Sequence, residues 1–381
     1  MPRLPRSSTP IGVVRGRGAV SNPPNRFEAP REAFDDGWDG SWATPQPIDA
    51  IPTEVFEERA RSILASNDAP DLPFDRSINP YRGCEHGCVY CYARPGHGHL
   101  GWSPGLDFES KLTVKVNAAE CLAAELSART YRCAPIALGT VTDVYQPIER
   151  RYRVTRAVIE VLQRHRHPFS VLTKSALIER DIDLLAPMAR DGLVGVSLTI
   201  TTLDAELARR WEPRAAAPWR RLQAIRRLTE AGIPVGVSVA PVVPFLNELE
   251  LERVLESARE AGARWAFYSV LRLPFELCEM FVDWLAEHYP ERASRVMHRV
   301  REMRLRGGAA RGAKGGAGSP ERRSASQQRE VSRFSGEGPW AELIRLRFEM
   351  ALRRFGYERE RQELRTDLFR RHASNVQTEL F

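Results

Sequence analysis

Three cysteines lie close together in the segment NPYRGCEHGCVYCYARP, at Cys84, Cys88 and Cys91. Soft thiolates are preferred ligands of both iron–sulfur clusters and zinc ions. The C-x3-C-x2-C spacing fits three corners of a cubane [4Fe–4S] cluster and leaves the fourth iron without a protein ligand. Because that iron can then bind a substrate or cofactor directly, the spacing predicts a catalytic site. Gly83 and Gly87 would let the loop fold around a cluster.

A structural zinc site is the alternative for the same cysteines. Zinc would take the three thiolates and one nearby histidine, His86, His97 or His99, as its fourth tetrahedral ligand. The sequence contains no second C-x2-C or H-x3-H pair of the kind that zinc ribbons and fingers use. The cysteine spacing therefore favours an iron–sulfur cluster over zinc.

The elements that must position this loop are strands and helices in alternation. Strands are predicted at Ser77–Arg82, Pro135–Val141, Phe169–Thr173, Val194–Ile200, Val235–Ala240 and Trp265–Val270. Helices are predicted near 117–129, 153–166, 179–191, 218–231 and 248–262. Apolar strands that alternate with helices indicate a parallel sheet covered by helices. The cysteine loop follows the first strand of this α/β domain.

The composition divides the chain into four predicted parts. They are a disordered, basic and proline-rich arm (1–52), the strand–helix region (53–290), a helix with a flexible Gly/Arg-rich linker (291–335) and a C-terminal helical cap (336–381). In the arm, Trp38 and Trp42 can dock on the folded part. The strand–helix region is expected to begin with a short helix over 53–66, and the cap to contain a helix over Trp340–Phe355.

Length, charge and cysteine usage narrow the class of protein. At 381 residues and 43% hydrophobic content, the chain can bury one large domain. Six cysteines without a disulfide pattern are typical of a reducing compartment. The sequence shows neither a signal peptide nor a membrane span, so we expect a cytoplasmic monomer. The net charge of +7 comes largely from arginines at the two ends, which leaves nucleic acid as a candidate partner without indicating a shaped groove.

Tyr90 precedes the third cysteine, and this signature resembles that of the radical S-adenosylmethionine (radical SAM) superfamily. Further segments are similar to the branch related to spore photoproduct lyase, most closely its uncharacterised bacterial members: DFESKLTVKVNAAE, GTVTDVYQPIE, VLTKSALIERDIDLL, GIPVGVSVAPVVPFLNE and GEGPWAELIRLRFEMALRRFG. The first four and the cysteine segment span about 78–250. The resemblance implies a partial (β/α)6 barrel of the TIM type, with the site at the C-terminal ends of the strands.

The resemblance also implies a cofactor and its contacts. One [4Fe–4S] cluster would reductively cleave S-adenosylmethionine (SAM) to a 5′-deoxyadenosyl radical, which abstracts hydrogen from a substrate inside a barrel closed by the C-terminal segment. The electron would come from a donor such as flavodoxin or ferredoxin. The residues expected at SAM are Thr142 and Asp143 at the amino group, Lys174 at the carboxylate, Ser197 at the ribose, and Val239 with Pro241 at the adenine.

The residues themselves leave plainer interpretations open. Thr142 and Asp143 are also compatible with a polar loop that forms an Asx turn, and Lys174 with a surface position. Lysine is scarce in this arginine-rich chain, however, which favours a specific role for Lys174. Ser197 and Thr199 alternate on one strand and so share a face, but buried hydroxyls are common in strands.

The substrate does not follow from the resemblance. Spore photoproduct lyase uses a cysteine as hydrogen donor at the position that falls on Gly139 or Thr140 here, and neither carries a thiol. Cys133 is expected at the opposite end of the barrel, which leaves Tyr92 as the candidate radical relay. Cys121 and Cys278 are expected to be packed thiols. Three functions remain: a radical SAM enzyme of unknown substrate, a radical SAM DNA photolesion lyase, and a zinc-stabilised nucleic-acid-binding protein.

Overall fold

The structure is a computed structural model that describes residues 13, 15–20, 51–69, 72–304, 334–358 and 363–372. The strands of this part are β1 (Glu54–Glu58), β2 (Leu64–Ser66), β3 (Arg76–Ile78), β4 (Tyr81–Arg82), β5 (Lys111–Lys115), β6 (Ile136–Leu138), β7 (Phe169–Thr173), β8 (Val194–Thr199), β9 (Val235–Val242) and β10 (Trp265–Val270). Trp38, Trp42 and the predicted Gly/Arg-rich linker over 305–333 lie outside the described residues.

Helices follow most of these strands. They are α1 (Leu106–Ser110), α2 (Ala118–Ser127), α3 (Glu149–Tyr152), α4 (Val154–Arg164), α5 (Ile182–Arg190), α6 (Ala205–Trp211), α7 (Pro218–Glu230), α8 (Leu251–Glu260), α9 (Leu277–His288), α10 (Pro290–Glu302) and α11 (Gly338–Phe355). Short 3-10 turns lie at Arg94–Leu100, Ala176–Asp181 and Glu248–Glu250. Among the described residues, no helix combines the length and the apolar character needed to cross a membrane.

The main sheet has the strand order β10-β9-β8-β7-β6-β3-β2. Six of its strands run parallel, and β2 pairs antiparallel with β3 at one edge. Within the described ranges, no ladder joins β10 to β2 or β3, so the barrel is open. Each parallel connection after β6 contains a helix, as right-handed strand–helix–strand units require. The predicted partial (β/α)6 barrel is confirmed.

The two faces of the main sheet differ in chemistry. The helix face carries Val171, Val196, Val237 and their neighbours, which form the main core with the apolar sides of the surrounding helices. We call the opposite side the inner face. The register of the paired strands places on it Ser77, Ala137, Ser170, Leu172, Ser197, Thr199, Gly236, Ser238 and Phe267. Trp265 also lies on this face and covers Gly236, where an added Cβ would lie 2.1 Å from the indole nitrogen. Apart from Trp265, Leu172 and Phe267, the side chains on this face are small or polar, which suits a ligand site inside the open barrel.

The predicted helix over 53–66 is wrong. β1 pairs parallel with β5 over five residues, and β4 pairs with the other side of β5, which gives a second sheet of order β1-β5-β4. β2 joins the edge of the main sheet. The segment contains strong helix formers, so its helical propensity was overridden by pairing with a strand more than fifty residues away.

Most of the C-terminal part packs elsewhere than expected. Ile344 and Phe348 of α11 belong to the helix-side core, and Arg347 pairs with Glu252 of α8 at 2.6 Å. Residues 363–372 cover the N-terminal ends of the strands, where the backbone N–H of Arg370 donates to the His165 carbonyl at 2.8 Å. Helix α11 and residues 363–372 therefore extend the helical layer and the bottom of the sheet. Residues 334–340, by contrast, lie at the C-terminal ends of β9 and β10, where the Val270 N–H donates to the Phe334 carbonyl at 2.7 Å and the Trp340 ring lies 5.3 Å from the Phe245 ring. Closure of the barrel mouth by the C-terminal segment stays a prediction.

Candidate active site

The cysteine loop follows β4 at the C-terminal end of the first parallel strand. Cys84 and Cys88 are buried, Cys91 is half-buried, and all three are free thiols. The N–H of Cys84 donates to the Phe108 carbonyl at 2.9 Å. Gly87 has φ +67°, in the left-handed region that side chains disfavour, so the tight turn between the first two cysteines depends on glycine.

The three thiols influence one another electrostatically. Burial raises the pKa of Cys84 well above its usual value, and Asp143, Cys88 and Cys91 raise it further. Burial also raises the pKa of Cys88 to about 12, although Lys174 opposes the shift. A nearby cation would therefore favour the thiolate forms of Cys84 and Cys88. Bound iron would supply that charge, so the donor set fits a cluster with one open iron.

Thr142 and Gln146 hold the loop from the end of β6. The Thr142 hydroxyl donates to the Gly83 carbonyl at 2.7 Å. The Gln146 side-chain N–H donates to the same carbonyl at 3.2 Å, and its oxygen accepts the N–H of Glu85 at 2.9 Å. Thr142 thus anchors the cysteine loop, a role that the sequence did not predict. Its contact with a SAM amino group stays a prediction.

Asp143 joins two strand ends to the loop. Its carboxylate accepts the Thr173 hydroxyl at 2.7 Å and the Lys174 N–H at 2.8 Å, and it lies 3.3 Å from Nδ1 of His86. Burial alone would raise the pKa of Asp143, but His86 and the two donors from β7 together lower it. The carboxylate is therefore ionised and serves as a buried link between β6, β7 and the cysteine loop. Its predicted contact with SAM stays a prediction.

Lys174 directs its ammonium group toward the loop. Its Nζ lies 5.8 Å from the centroid of the Tyr90 ring. Burial alone would lower the pKa of Lys174, but the negative charges of Cys88, Glu212 and Asp143 raise it above its ordinary value. The structure thus brings Lys174, Tyr90 and the cysteines close together, and the contact of Lys174 with the SAM carboxylate stays a prediction. A half-buried cation beside the loop can pair with an anionic group of a ligand.

Glu212 is a functional residue that the sequence analysis missed. Its buried carboxylate accepts the Tyr90 hydroxyl and, at 3.0 Å, the Thr201 hydroxyl. It also pairs with buried Arg221 at 2.5 Å, and Arg221 donates to the Thr199 carbonyl at 3.0 Å. This network fixes the ring between the last two cysteines to the end of β8. A single acidic residue between Trp211 and Pro213, within an arginine-rich stretch, was the sequence signal for it.

We expect Glu212→Ala to destabilise the protein strongly. The change leaves the Arg221 guanidinium buried without its anion, which costs about 3–5 kcal/mol. Chemical denaturation of the apoprotein measures the free energy of unfolding. Glu206→Ala is the matched control, because that carboxylate pairs with Arg210 at the surface and its loss costs about 0–1 kcal/mol. Equal free energies of unfolding for the two variants would contradict the proposed contribution of the Glu212 network to stability.

The other residues predicted for the site do not all lie beside the cysteine loop. Ser197 is buried on the inner face, whereas Val239 lies on the helix face within the main core, so its side chain points away from Ser197. Tyr92 is 55% exposed, and its hydroxyl donates to the Thr140 carbonyl. Cys133 lies at the N-terminal end of the strands, with its sulfur 3.7 Å from Nε2 of His167.

The histidines of the zinc alternative lie in separate environments. His86 faces Asp143, and His97 packs between the rings of Trp102 and Phe108, with centroids at 5.2 and 5.5 Å. His99 is exposed. Across the described ranges, no three His, Cys, Asp or Glu side chains converge as ligands of a single metal ion would. The ligands of a cubane each bind a different iron, so the cysteine loop remains compatible with a cluster.

A cleft of about 500 Å³ borders the cysteine loop at His86. Its charged lining residues are His86, Arg150, Glu179, Arg180, Arg214 and Arg220. Arg214 pairs with Glu85 at 3.0 Å, and Arg180 pairs with buried Glu149 at 2.7 Å. The cleft has the size of a small-molecule site, and neither Lys174 nor Ser197 is among its lining residues.

Comparisons with known proteins agree with this geometry. The model of the family described as the radical SAM superfamily matches residues 78–258. An uncharacterized protein of Mycobacterium tuberculosis is 38% identical over 242 residues, which are 63% of this chain and 70% of that protein. An uncharacterized protein of Methanocaldococcus jannaschii is 29% identical over 238 residues, 62% of this chain and 85% of that protein.

Solved structures resemble the chain in fold. A point mutant of spore photoproduct lyase superposes with a TM-score of 0.52 at 16% identity, over 81% of this chain and 85% of that one. A second point mutant gives a TM-score of 0.46 at 18% identity, over 62% of this chain and 66% of that chain, just under two thirds of its length. At these identities the likeness concerns the fold alone.

Proposed function

We propose that this chain, which belongs to the radical SAM superfamily, is an enzyme that binds one [4Fe–4S] cluster at Cys84, Cys88 and Cys91 and uses it to cleave SAM reductively. The observation that carries the proposal is the group of three free thiols, two of them buried, with the Lys174 ammonium directed toward the loop that holds them. Membership in the superfamily implies both cofactors. The substrate is a separate question.

Different residues around the cysteine loop would contact different parts of SAM. When bound, the cluster would supply one electron to SAM, whose cleavage yields a 5′-deoxyadenosyl radical. Lys174 would pair with the carboxylate of SAM, and ionised Asp143 fixes the backbone of Lys174 in place. Tyr90, tied to Glu212, borders the same space. Ser197 on the inner face would lie along the ribose.

The inner face would hold the substrate. Ser238 is buried there with a hydroxyl that has no hydrogen-bond partner among the described residues. Phe267 lies beside it in the register of β9 and β10 and is 38% exposed. A hydroxyl without a hydrogen-bond partner next to a partly exposed aromatic ring suits an organic substrate that has both a polar group and an apolar part. A flavodoxin or ferredoxin is the proposed class of electron donor.

One experiment tests the proposal without knowledge of the substrate. The protein is reconstituted anaerobically with iron and sulfide, reduced with dithionite and mixed with SAM. We expect methionine and 5′-deoxyadenosine, detected by mass spectrometry, from protein that contains about four irons per chain. Protein that takes up zinc, stays colourless and releases no 5′-deoxyadenosine would favour the zinc-stabilised nucleic-acid-binding alternative.

We expect Lys174→Ala to weaken SAM binding by about tenfold or more, because a charge-assisted hydrogen bond contributes about 1.5–3 kcal/mol. Equilibrium dialysis with labelled SAM measures the affinity, and absorbance near 400 nm checks that the cluster is intact. Lys111→Ala is the control, because the ammonium group of that lysine pairs with Asp107 at 3.1 Å instead of facing Tyr90. An unchanged affinity of Lys174→Ala would show that the lysine does not hold the SAM carboxylate.

A further inference from the structure

A short piece of the N-terminal arm is buried against the cysteine loop. Arg17, Ala19 and Val20 are at most 6% exposed, and Gly18 between them is also buried. Val20 belongs to the same apolar cluster as Cys88, Val89 and Tyr90. The sequence predicted disorder for all of 1–52, so this segment departs from that expectation. We call residues 17–20 the strap.

Glu109 holds the strap to the loop. Its fully buried carboxylate accepts the N–H of Gly18 at 2.9 Å and the N–H of Ala19 at 3.0 Å. The same carboxylate pairs with fully buried Arg94, whose Nε donates to the Cys88 carbonyl at 2.8 Å. One anion therefore connects two strap amides to the backbone of a cluster cysteine.

Arg17 ties the strap to the loop a second time. Its guanidinium donates to the backbone carbonyls of Glu109 and, at 2.8 Å, Ile51. It also donates to the Thr53 hydroxyl at 3.1 Å, which in turn donates to the carboxylate of Glu85 at 2.9 Å. Glu85 follows the first cluster cysteine directly, so both halves of the cysteine loop are bonded to partners of the strap.

Gly18 has no room for a side chain. A Cβ atom at this position would lie 1.9 Å from the carbonyl oxygen of Gly87 and 3.3 Å from the nitrogen of Val89. No neighbour is a flexible side-chain end that could move, since both are backbone atoms of the cysteine loop. The two backbones are therefore in direct contact, and this contact lies between Cys84 and Cys88 in the sequence.

We propose that the strap is a structural part of the cluster site: Arg17, Gly18 and Glu109 act as positioning residues that fix the cysteine loop and cover its outer side against chelators and oxygen. The proposal rests on the assignment of the cluster to Cys84, Cys88 and Cys91. A loop held in its bound shape loses less conformational freedom when the cluster binds. Release of iron then requires the strap to detach first.

The test compares Gly18→Ala with Gly96→Ala in the full-length protein. Gly96 lies beside the same loop, is exposed, and would meet nothing within 4 Å of an added Cβ. Both variants are reconstituted anaerobically, and iron release to a chelator and bleaching in air are followed at 400 nm. We expect Gly18→Ala to lose its cluster about tenfold faster than wild type, and Gly96→Ala to match wild type. Equal rates for all three proteins would overturn the proposal.

Amide hydrogen exchange on the apoprotein separates this proposal from the cluster assignment. The N–H groups of Gly18 and Ala19 should exchange slowly, because buried Glu109 accepts both. Free exchange of residues 15–20 in wild type would overturn the strap. If Gly18→Ala lowers the melting temperature of the apoprotein, Arg17→Ala is the second test variant, because it removes hydrogen bonds without creating a clash. Faster iron release by Arg17→Ala at an unchanged melting temperature would support the proposed role of the strap. Unchanged iron release would overturn that role. Failure of wild type to bind iron would refute the cluster assignment, whatever the exchange data show.

Discussion

Cys84→Ala, Cys88→Ala and Cys91→Ala are each expected to give colourless protein that releases no 5′-deoxyadenosine. Each change removes one of three protein ligands, and a cubane with two thiolates has two irons open to solvent and chelators. The absorbance near 400 nm and the electron paramagnetic resonance signal of the reduced cluster should both disappear. Iron content per chain, measured after anaerobic reconstitution, checks the loss independently of activity.

The control for this prediction uses two cysteines outside the loop. The Cys121 thiol donates to the Ala60 carbonyl at 3.2 Å, and Cys278 packs at the edge of the apolar cluster around Trp284. Cys121→Ala and Cys278→Ala should keep the full absorbance and the full yield of 5′-deoxyadenosine. A loop variant that retains a normal cluster would contradict the ligand assignment, and loss of the cluster in both controls would point to a general effect on folding.

Most strands of the barrel were predictable because they are local apolar runs. The prediction of a single strand over Ser77–Arg82 was wrong, because the segment divides into β3 and β4, which belong to different sheets. The predicted bounds of Phe169–Thr173 and Trp265–Val270 coincide with β7 and β10. Both are strands of the main sheet, where burial on the helix face requires β-branched and aromatic residues. β1 was not predictable in this way. Its residues face solvent on most sides, and only its partner β5, far along the chain, makes it a strand.

In the candidate site, too, features of a short segment were predictable from the sequence, whereas contacts between distant segments were not. The cysteine loop and Lys174 were recognisable because spacing and strand ends are properties of a short segment. The partners of Glu212 and Glu109 were not, since Tyr90 lies 122 positions from Glu212 and Gly18 lies 91 positions from Glu109. Burial of these carboxylates depends on tertiary packing. Disorder was predicted for residues 1–52 from their composition. Composition cannot reveal that the buried carboxylate of Glu109 accepts hydrogen bonds from the backbone N–H groups of Gly18 and Ala19.

We expect this protein not to repair the spore photoproduct, although its fold resembles that of the lyase. Repair would need a hydrogen donor beside the product radical, and the position at the end of β6 carries Thr140. The Thr140 hydroxyl accepts the Asn79 side-chain N–H at 2.9 Å, and an O–H bond holds its hydrogen too strongly to replace a thiol. Cys133 cannot serve from the N-terminal end of the strands. The measurement is incubation of reduced enzyme and SAM with a synthetic dinucleotide lesion.

The products of that incubation distinguish two situations. Formation of 5′-deoxyadenosine without intact thymidylyl-thymidine is the expected result, and it describes an active radical initiator with a different substrate. Thr140→Cys is the matched variant, because it restores a thiol at this position without changing the cysteine loop. Efficient repair by the wild type would contradict the prediction. It would also direct attention to Tyr92, whose hydroxyl donates to the Thr140 carbonyl and lies next to the last cluster cysteine, and Tyr92→Phe would then be expected to abolish the repair.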